Sequence, residues 1–469
     1  MAYEKQKFTD GDVLTAAHLN HIEEGIGNND AGLDNLAEIV SDVFDRVSDL
    51  ENNTSASIIA TAQGEVVALA DSTDNPLLGL NVYGKTIQNG TPTPTAPVLL
   101  ESFGGHAAGE QVRVTGKNLF GVQNLESAVA QGGRITIQDG VITRTATVTA
   151  NIVNIIPTEL ADCIIPTRLS PGTYMYSIDY LEKPPQWLTS TYSYLKVVLD
   201  DGTAVNIREG VATQLTQSGV VSGVCVSILS MTIGDVLRIR PQLEVGTVST
   251  AYEPYKAQQE LTFYNFDGLP GIPVASGGNY TDETGQQWVC DTVDFTRGVY
   301  VQRIGNRTFT GDETDDWRPN TGGNETAVKH FYATVLAGSV SLGYPNVLCT
   351  MLTYNSNAGS GNSTQINVCR LNPSYGYLLV DVDVTEFSTL EEFKTYLAEK
   401  PMTVSYVLAT PVETPIDAEI LAAYSKLNTY YPNTTVTADG ANLAVTYVAD
   451  TKNYIDNKFA ELAAAIVNN

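Results

Sequence analysis

The chain has 469 residues, enough for two or three domains with cores of their own. Its formal charge of −27 makes nucleic acid and anionic membrane poor partners, because their phosphates would be repelled. With 39 Gly, 24 Tyr and only 17% charged residues, the composition favours strands and turns over helices.

Met1–Thr9 is polar, carrying Lys5 and Lys7 without an apolar core, so no signal peptide is expected. No run of about 18 apolar residues occurs, so no membrane insertion is expected either. Cys163, Cys225, Cys290, Cys349 and Cys369 are widely spaced and include no C-x-x-C pair. They read as small buried thiols, outside any zinc site or disulfide framework.

Tyr3–His21 reads as an extended lead, a turn at Thr9–Gly11 and a helix start that Thr15 can cap. His18 and His21 lie three apart and read as a solvated helix face, with no metal assigned. From Leu19 the apolar positions alternate by three and four: Leu19, Ile22, Ile26, Asn29, Leu33, Leu36, Val40, Val43, Val47, Leu50. Only Asn29 is polar. A stripe this narrow, sustained for about four and a half heptads, reads as the seam of a coiled coil, the alternative being a single core helix of a globular domain. Gly25, Gly27 and Gly32 weaken its middle, each by up to about 1 kcal/mol relative to Ala. Asn29 would fix register, and the choice between dimer and trimer stays open at this level.

The opening FTDGDVLTAAHLNHIEEGI closely resembles the start of minor structural proteins of tailed bacteriophages. That resemblance implies a segment attached to other virion proteins and assembly as a homotrimer. Later stretches resemble the same group: QNGTPTPTAPV with VTGKNLF, GIPVASGGNYTDETGQQWVCDTVDFTRGVYVQRIG, and VSYVLATPVETPI. They point to tail-fibre and baseplate proteins of phages infecting Gram-positive bacteria.

After Leu50 the polar run Glu51–Ser55 ends the helix, and strands begin at Ile58. Thr91–Pro97, TPTPTAP, is a stiff extended connector. Residues 118–256 show short apolar runs at roughly ten-residue spacing, the pattern of a β-sandwich of jelly-roll type. Its ends, KNLF and IRPQLEVGTVSTAYEPY, resemble the carbohydrate-binding-module-like sandwiches embedded in phage tail proteins. Such modules stack aromatic rings on sugars. The glycan-binding candidates are therefore Trp187, Tyr192 and Tyr194 in one loop, with Glu182 and Gln186 beside them. The alternative is that these aromatics only close the end of the sandwich.

Residues 257–450 read as a second β domain. Neither it nor 57–117 shows a complete set of strands alone, which suggests one composite module with 118–256 inserted. Asp282, Asp291, Asp294 and Arg297 tempt a glycosidase reading, but turn and edge carboxylates are the commoner use. Asp381 and Asp383 share a strand face, where Ca2+ is the one ion the spacing suggests; otherwise no cofactor is expected. Arg307–His330 reads as a long exposed acidic loop that makes Trp317 a sixth contact candidate. Thr389–Lys400 reads as an amphipathic helix burying Leu390, Phe393 and Leu397. The chain ends in a short helix, 451–469, with a second seam at Ile455, Phe459, Leu462 and Ile466.

The expected architecture is mainly β: a coiled coil in 1–56, a β segment and connector in 57–117, two β modules and a C-terminal helix. The expected function is that of a virion structural protein, assembled in the bacterial host cytoplasm. It would be a homotrimeric receptor-binding component that contacts host-surface polysaccharide without catalysis. The alternatives are a head fibre or spacer with no receptor, and a polysaccharide-cleaving tail enzyme.

Overall fold

A computed structural model describes residues 15, 17, 19–24, 26, 58–102, 110–152, 155–156, 158–185, 192–263, 268–320, 327–360, 364–438, 441–453 and 455–456. The fold is mainly β with curled sheets and a short C-terminal helix. Two compact units divide the chain: one holds both ends, and the other is Ile59–Ala449.

In the first unit, Leu19–Glu24 is helical and the Leu19 amide donates to the Thr15 carbonyl, a normal first-turn bond. Leu19 and Ile26 are 49% and 56% exposed in the isolated chain, while Ile22 is half-buried. Asn29, Leu33, Leu36, Val40, Val43, Val47 and Leu50 lie outside the described residues, as do Phe459, Leu462 and Ile466. Ile455 is helical and half-buried, and Lys452 pairs with Asp456 one turn on.

In the larger unit, strands from both sides of 118–256 share sheets. A seven-stranded sheet runs in the order Ile58–Gly64, Asn442–Ala449, Gly79–Tyr83, Thr292–Asp294, Val299–Phe309, Met402–Pro415, Val347–Cys349. A four-stranded sheet runs Val66–Leu69, Thr434–Ala438, Glu110–Gly116, Gln259–Phe263. Its last two members are antiparallel, with Val114 opposite Gln259 and Glu110 opposite Phe263. The chain therefore leaves for 118–256 and returns from it on neighbouring strands, the arrangement that lets a module be inserted without disturbing its host.

The inserted residues form two sheets around one core. The six-stranded sheet orders Thr213–Leu215, Gly172–Glu182, Val236–Val245, Val141–Ala146, Gly133–Gln138, Leu125–Ala130. The other sheet contains Ala150–Ile152, Gly219–Met231, Tyr192–Leu199 and Ala204–Arg208. Period-two alternation sends Ile135, Ile137, Ile142, Ile239 and Leu243 from the first sheet against Leu195, Val197, Ile207 and Val226 from the second. Each such buried side chain contributes roughly 1.5–3 kcal/mol.

Asn118 closes this module. Its side-chain oxygen accepts from the Phe120 and Leu243 amides at 3.0 and 3.1 Å. Its amide group donates to the Pro241 and Glu253 carbonyls at 3.2 and 3.0 Å. Nearby, Lys117 pairs with Glu253 at 2.7 Å, and the Glu253 amide donates to Gln242. The buried Glu244 accepts from the Thr250 amide and hydroxyl. The stretches KNLF and PQLEVGTVSTAYEPY are thus the two halves of one polar clasp.

Another core lies between the five-stranded sheet of Trp317–Pro319, Val328–Ala333, Leu378–Asp383, Val368–Leu371 and Thr353–Tyr354 and the helix Leu390–Glu399. Thr389 caps that helix in a capping box with Glu392, and Phe393 and Leu397 are buried as the pattern predicts. Arg307–His330 departs from the exposed-loop expectation: Glu313–Asp315 forms a 3-10 turn and Trp317–Pro319 a strand. Asp315 is fully buried, paired with Arg307 and accepting from the Thr310 and Gly311 amides.

Asn118→Ala would orphan two buried amides at once. It should cost about 2–4 kcal/mol in a urea titration of the whole chain; a loss under about 1 kcal/mol would show that the clasp is dispensable.

Candidate functional site

Beside the clasp lies a pocket of about 340 Å3, walled by Phe120, Pro241, Tyr252, Pro254 and Tyr255 and edged by Asn124 and Asp139. Three local features position these groups. Asn118 holds Phe120 through its amide, so Phe120 enters the pocket wall directly from the clasp. Asp139 and Gly140, at φ 50° and 77°, form the two-residue turn joining Gly133–Gln138 to Val141–Ala146, with Gln138 opposite Val141. Asn124 receives the Asp139 amide at 3.0 Å, tying the turn to the strand edge. Gly140 has a second reason to lack a side chain: a Cβ there would stand 2.8 Å from the Tyr252 hydroxyl.

The rings are fixed from behind. The Arg240 guanidinium sits 4.4 Å from the Tyr252 centroid, itself held by Asp179 through Nε at 3.0 Å. Burial pushes the Tyr252 phenol up, partly offset by Arg240, so it stays a neutral hydroxyl. The Tyr255 ring lies against Gly121, where a Cβ would come within 2.7 Å of it. Rigid aromatic walls with an amide and a carboxylate at the rim suit a ligand with apolar faces and hydroxyl edges.

Of the predicted glycan candidates, Glu182, Tyr194 and Trp317 have described side chains. Gln186 and Trp187 lie outside the described residues, and Tyr192 is placed only by its backbone. Glu182 is exposed on the six-stranded sheet opposite Arg238, whereas Tyr194 is half-buried on the other sheet opposite Cys225. Trp317 is 8% exposed and packs on Phe309 and Phe393 at centroid distances of 5.3 and 5.2 Å, so it belongs to the core. Tyr252 and Tyr255 escaped notice although they stand in AYEPY; the Asp-Gly turn was the other available signal.

The acidic residues that suggested hydrolysis are occupied. Asp282 closes a turn, accepting from the Thr284 and Gln286 amides and from the Trp288 indole. Asp294 accepts from the Arg297 amide, and Arg297 forks onto Glu413. Asp381 binds His330 at 2.6 Å and the Gly359 amide at 2.9 Å, while Asp383 accepts from Thr385. Among the described residues no group of three or more His, Cys, Asp and Glu side chains is arranged to hold a metal ion.

Asp291 is the most perturbed of these acids. The strand Val299–Phe309 shifts register between Gln302 and Ile304, and one Asp291 oxygen takes the Arg303 and Ile304 amides at 2.6 and 2.8 Å. Its other oxygen takes the Tyr300 hydroxyl at 2.7 Å. Burial nonetheless pushes the carboxyl up to about 6 from 3.8. Compared with known proteins, the chain matches no family model, no curated relative and no solved structure.

Between pH 3.8 and about 6 the folded chain keeps an Asp291 proton that the unfolded chain has shed, so this group lowers stability as pH rises through that window. The stability of the native chain minus that of Asp291→Asn should therefore fall by on the order of 2 kcal/mol from pH 4 to 6 and level off above. Parallel denaturation curves across the window would refute this.

Proposed function

We propose that the chain is a structural protein of a tailed-bacteriophage virion, a homotrimeric tail-fibre or baseplate component that binds host-surface glycans without cleaving them. In this reading the N-terminal segment attaches to other virion proteins, and Leu19–Leu50 winds with its copies as a coiled coil. The two-sheet module, of jelly-roll type, then carries the sugar pocket. The observation that carries the binding role is the pocket of Phe120, Tyr252 and Tyr255 rimmed by Asn124 and Asp139. The phage resemblance of the opening supports the setting, and the exposure of Leu19 and Ile26 gives a three-chain seam something to bury. Engagement of Asp282, Asp291 and Asp294 in turns and a bulge favours holding a glycan over hydrolysing it.

Sedimentation at micromolar concentration should give about three times the 50.4 kDa chain mass. A single-chain mass would end the trimeric reading. On an array of neutral oligosaccharides, Tyr252→Ala should weaken binding about tenfold or more with the fold intact. Release of new reducing ends would turn the assignment to an enzyme.

A further inference from the structure

Two of the five cysteines meet in the core beside the helix Leu390–Glu399, although their strands belong to different sheets. Cys349 ends the strand Val347–Cys349 at the edge of the seven-stranded sheet, opposite Val404. Cys369 lies in Val368–Leu371 of the five-stranded sheet, opposite Val380. The Leu371 amide donates to the Pro345 carbonyl at 3.0 Å and holds the two segments side by side.

Both sulfurs turn to the same bend, Met351–Leu352. Cys349 Sγ accepts from the Met351 amide at 3.5 Å, and Cys369 Sγ faces the Leu352 carbonyl as donor at 4.0 Å. The Cys369 thiol also donates to the Cys349 sulfur. At 1% and 0% exposure the contact is sealed from solvent. A pair in direct contact is the starting arrangement a disulfide needs, since cysteines held apart cannot be bridged without moving backbone.

The two thiols are also unequal. Burial pushes up Cys163, Cys225 and Cys290, and the bond to Cys349 together with burial pushes up Cys369. Cys349 alone is lowered: burial acts against it, but donation from Cys369 and from the Met351 and Leu352 amides outweighs burial.

We propose that Cys349 and Cys369 form a modification site, a thiol pair that closes to a disulfide in oxidising surroundings and fastens the five-stranded sheet to the seven-stranded one. The co-reactant is a low-molecular-weight disulfide. The Cys349 thiolate attacks one of its sulfurs, and the first small thiol leaves with the Cys349 proton. Cys369 then attacks the Cys349 sulfur, and the second small thiol leaves with the Cys369 proton. The pair gives up two electrons and two protons, and the small disulfide takes both as it is reduced to two thiols. The bond closes a loop from residue 349 to 369 in the unfolded chain too, which restricts that state and raises stability. This inference stands apart from the glycan-binding reading.

The test incubates the full chain carrying Cys163→Ser, which removes the half-buried thiol, with oxidised glutathione. One incubation is in buffer and a second in urea just below the unfolding transition, where the sealed bend opens more often. Thiol titration after unfolding should show two thiols lost, and a non-reducing peptide map should join Cys349 to Cys369 without a glutathione adduct. The oxidised chain should unfold at a higher urea midpoint, and dithiothreitol should return it to the starting value. Adding Cys369→Ser should abolish the internal bond. Thiols that persist in both incubations, or a bond to Cys225 or Cys290 instead, would overturn the pairing. A midpoint that is unchanged or lower after oxidation would overturn the fastening role.

Discussion

The antiparallel pairing of Glu110–Gly116 with Gln259–Phe263 is the constraint on which the larger unit depends. These neighbouring strands are separated in sequence by the whole of 118–256. Bringing them together carries a loop-closure cost that grows only slowly with the length of the intervening chain, and that chain has a core of its own. Asn118 and Lys117, just beyond the first strand, meet Glu253, just before the second. The clasp gives the Pro241 and Glu253 carbonyls and the Phe120 and Leu243 amides a partner where the chain passes from one core to the next. Strand pairing and clasp thus mark the same point: one joins the host sheet, the other seals the guest.

The same economy of polar groups explains the acids. In a chain this anionic, a buried carboxylate needs donors close by. Asp291 absorbs the two amides exposed by a strand irregularity. Asp315 absorbs those of a tight turn and neutralises Arg307. One oxygen of Asp381 meets both the His330 imidazole and the Gly359 amide.

Local pattern carried much of the fold. The helix after Thr389 was legible because capping box and apolar spacing agree over one short window. Strands such as Gly133–Gln138 were legible from strict alternation, and their tight turns from Asp-Gly. Partnership between strands was another matter: Gly79–Tyr83 lies between Asn442–Ala449 and Thr292–Asp294, and nothing within reach of residue 79 encodes neighbours so distant. Trp317 shows the opposite failure. Asp315 and Asp316 before it made it look like part of an exposed loop, yet alternate residues of a short strand point opposite ways, and its ring went inward while Arg318 stayed at the surface. The pocket tyrosines were hidden for a related reason: AYEPY reads as a terminal phrase until the clasp folds it back over Phe120.

On the proposed glycan-binding reading, a shallow aromatic pocket suits attachment to a polymer that repeats the same sugar face many times. Copies of the chain would meet that polymer at the effective concentration set by the first contact, so weak individual contacts would give a secure yet reversible hold. Rigid presentation is the condition for this gain, since a ring that must be ordered on binding forfeits part of it. The Arg240 cation stacked behind Tyr252 supplies that rigidity, and Gly140 leaves room for the Tyr252 hydroxyl.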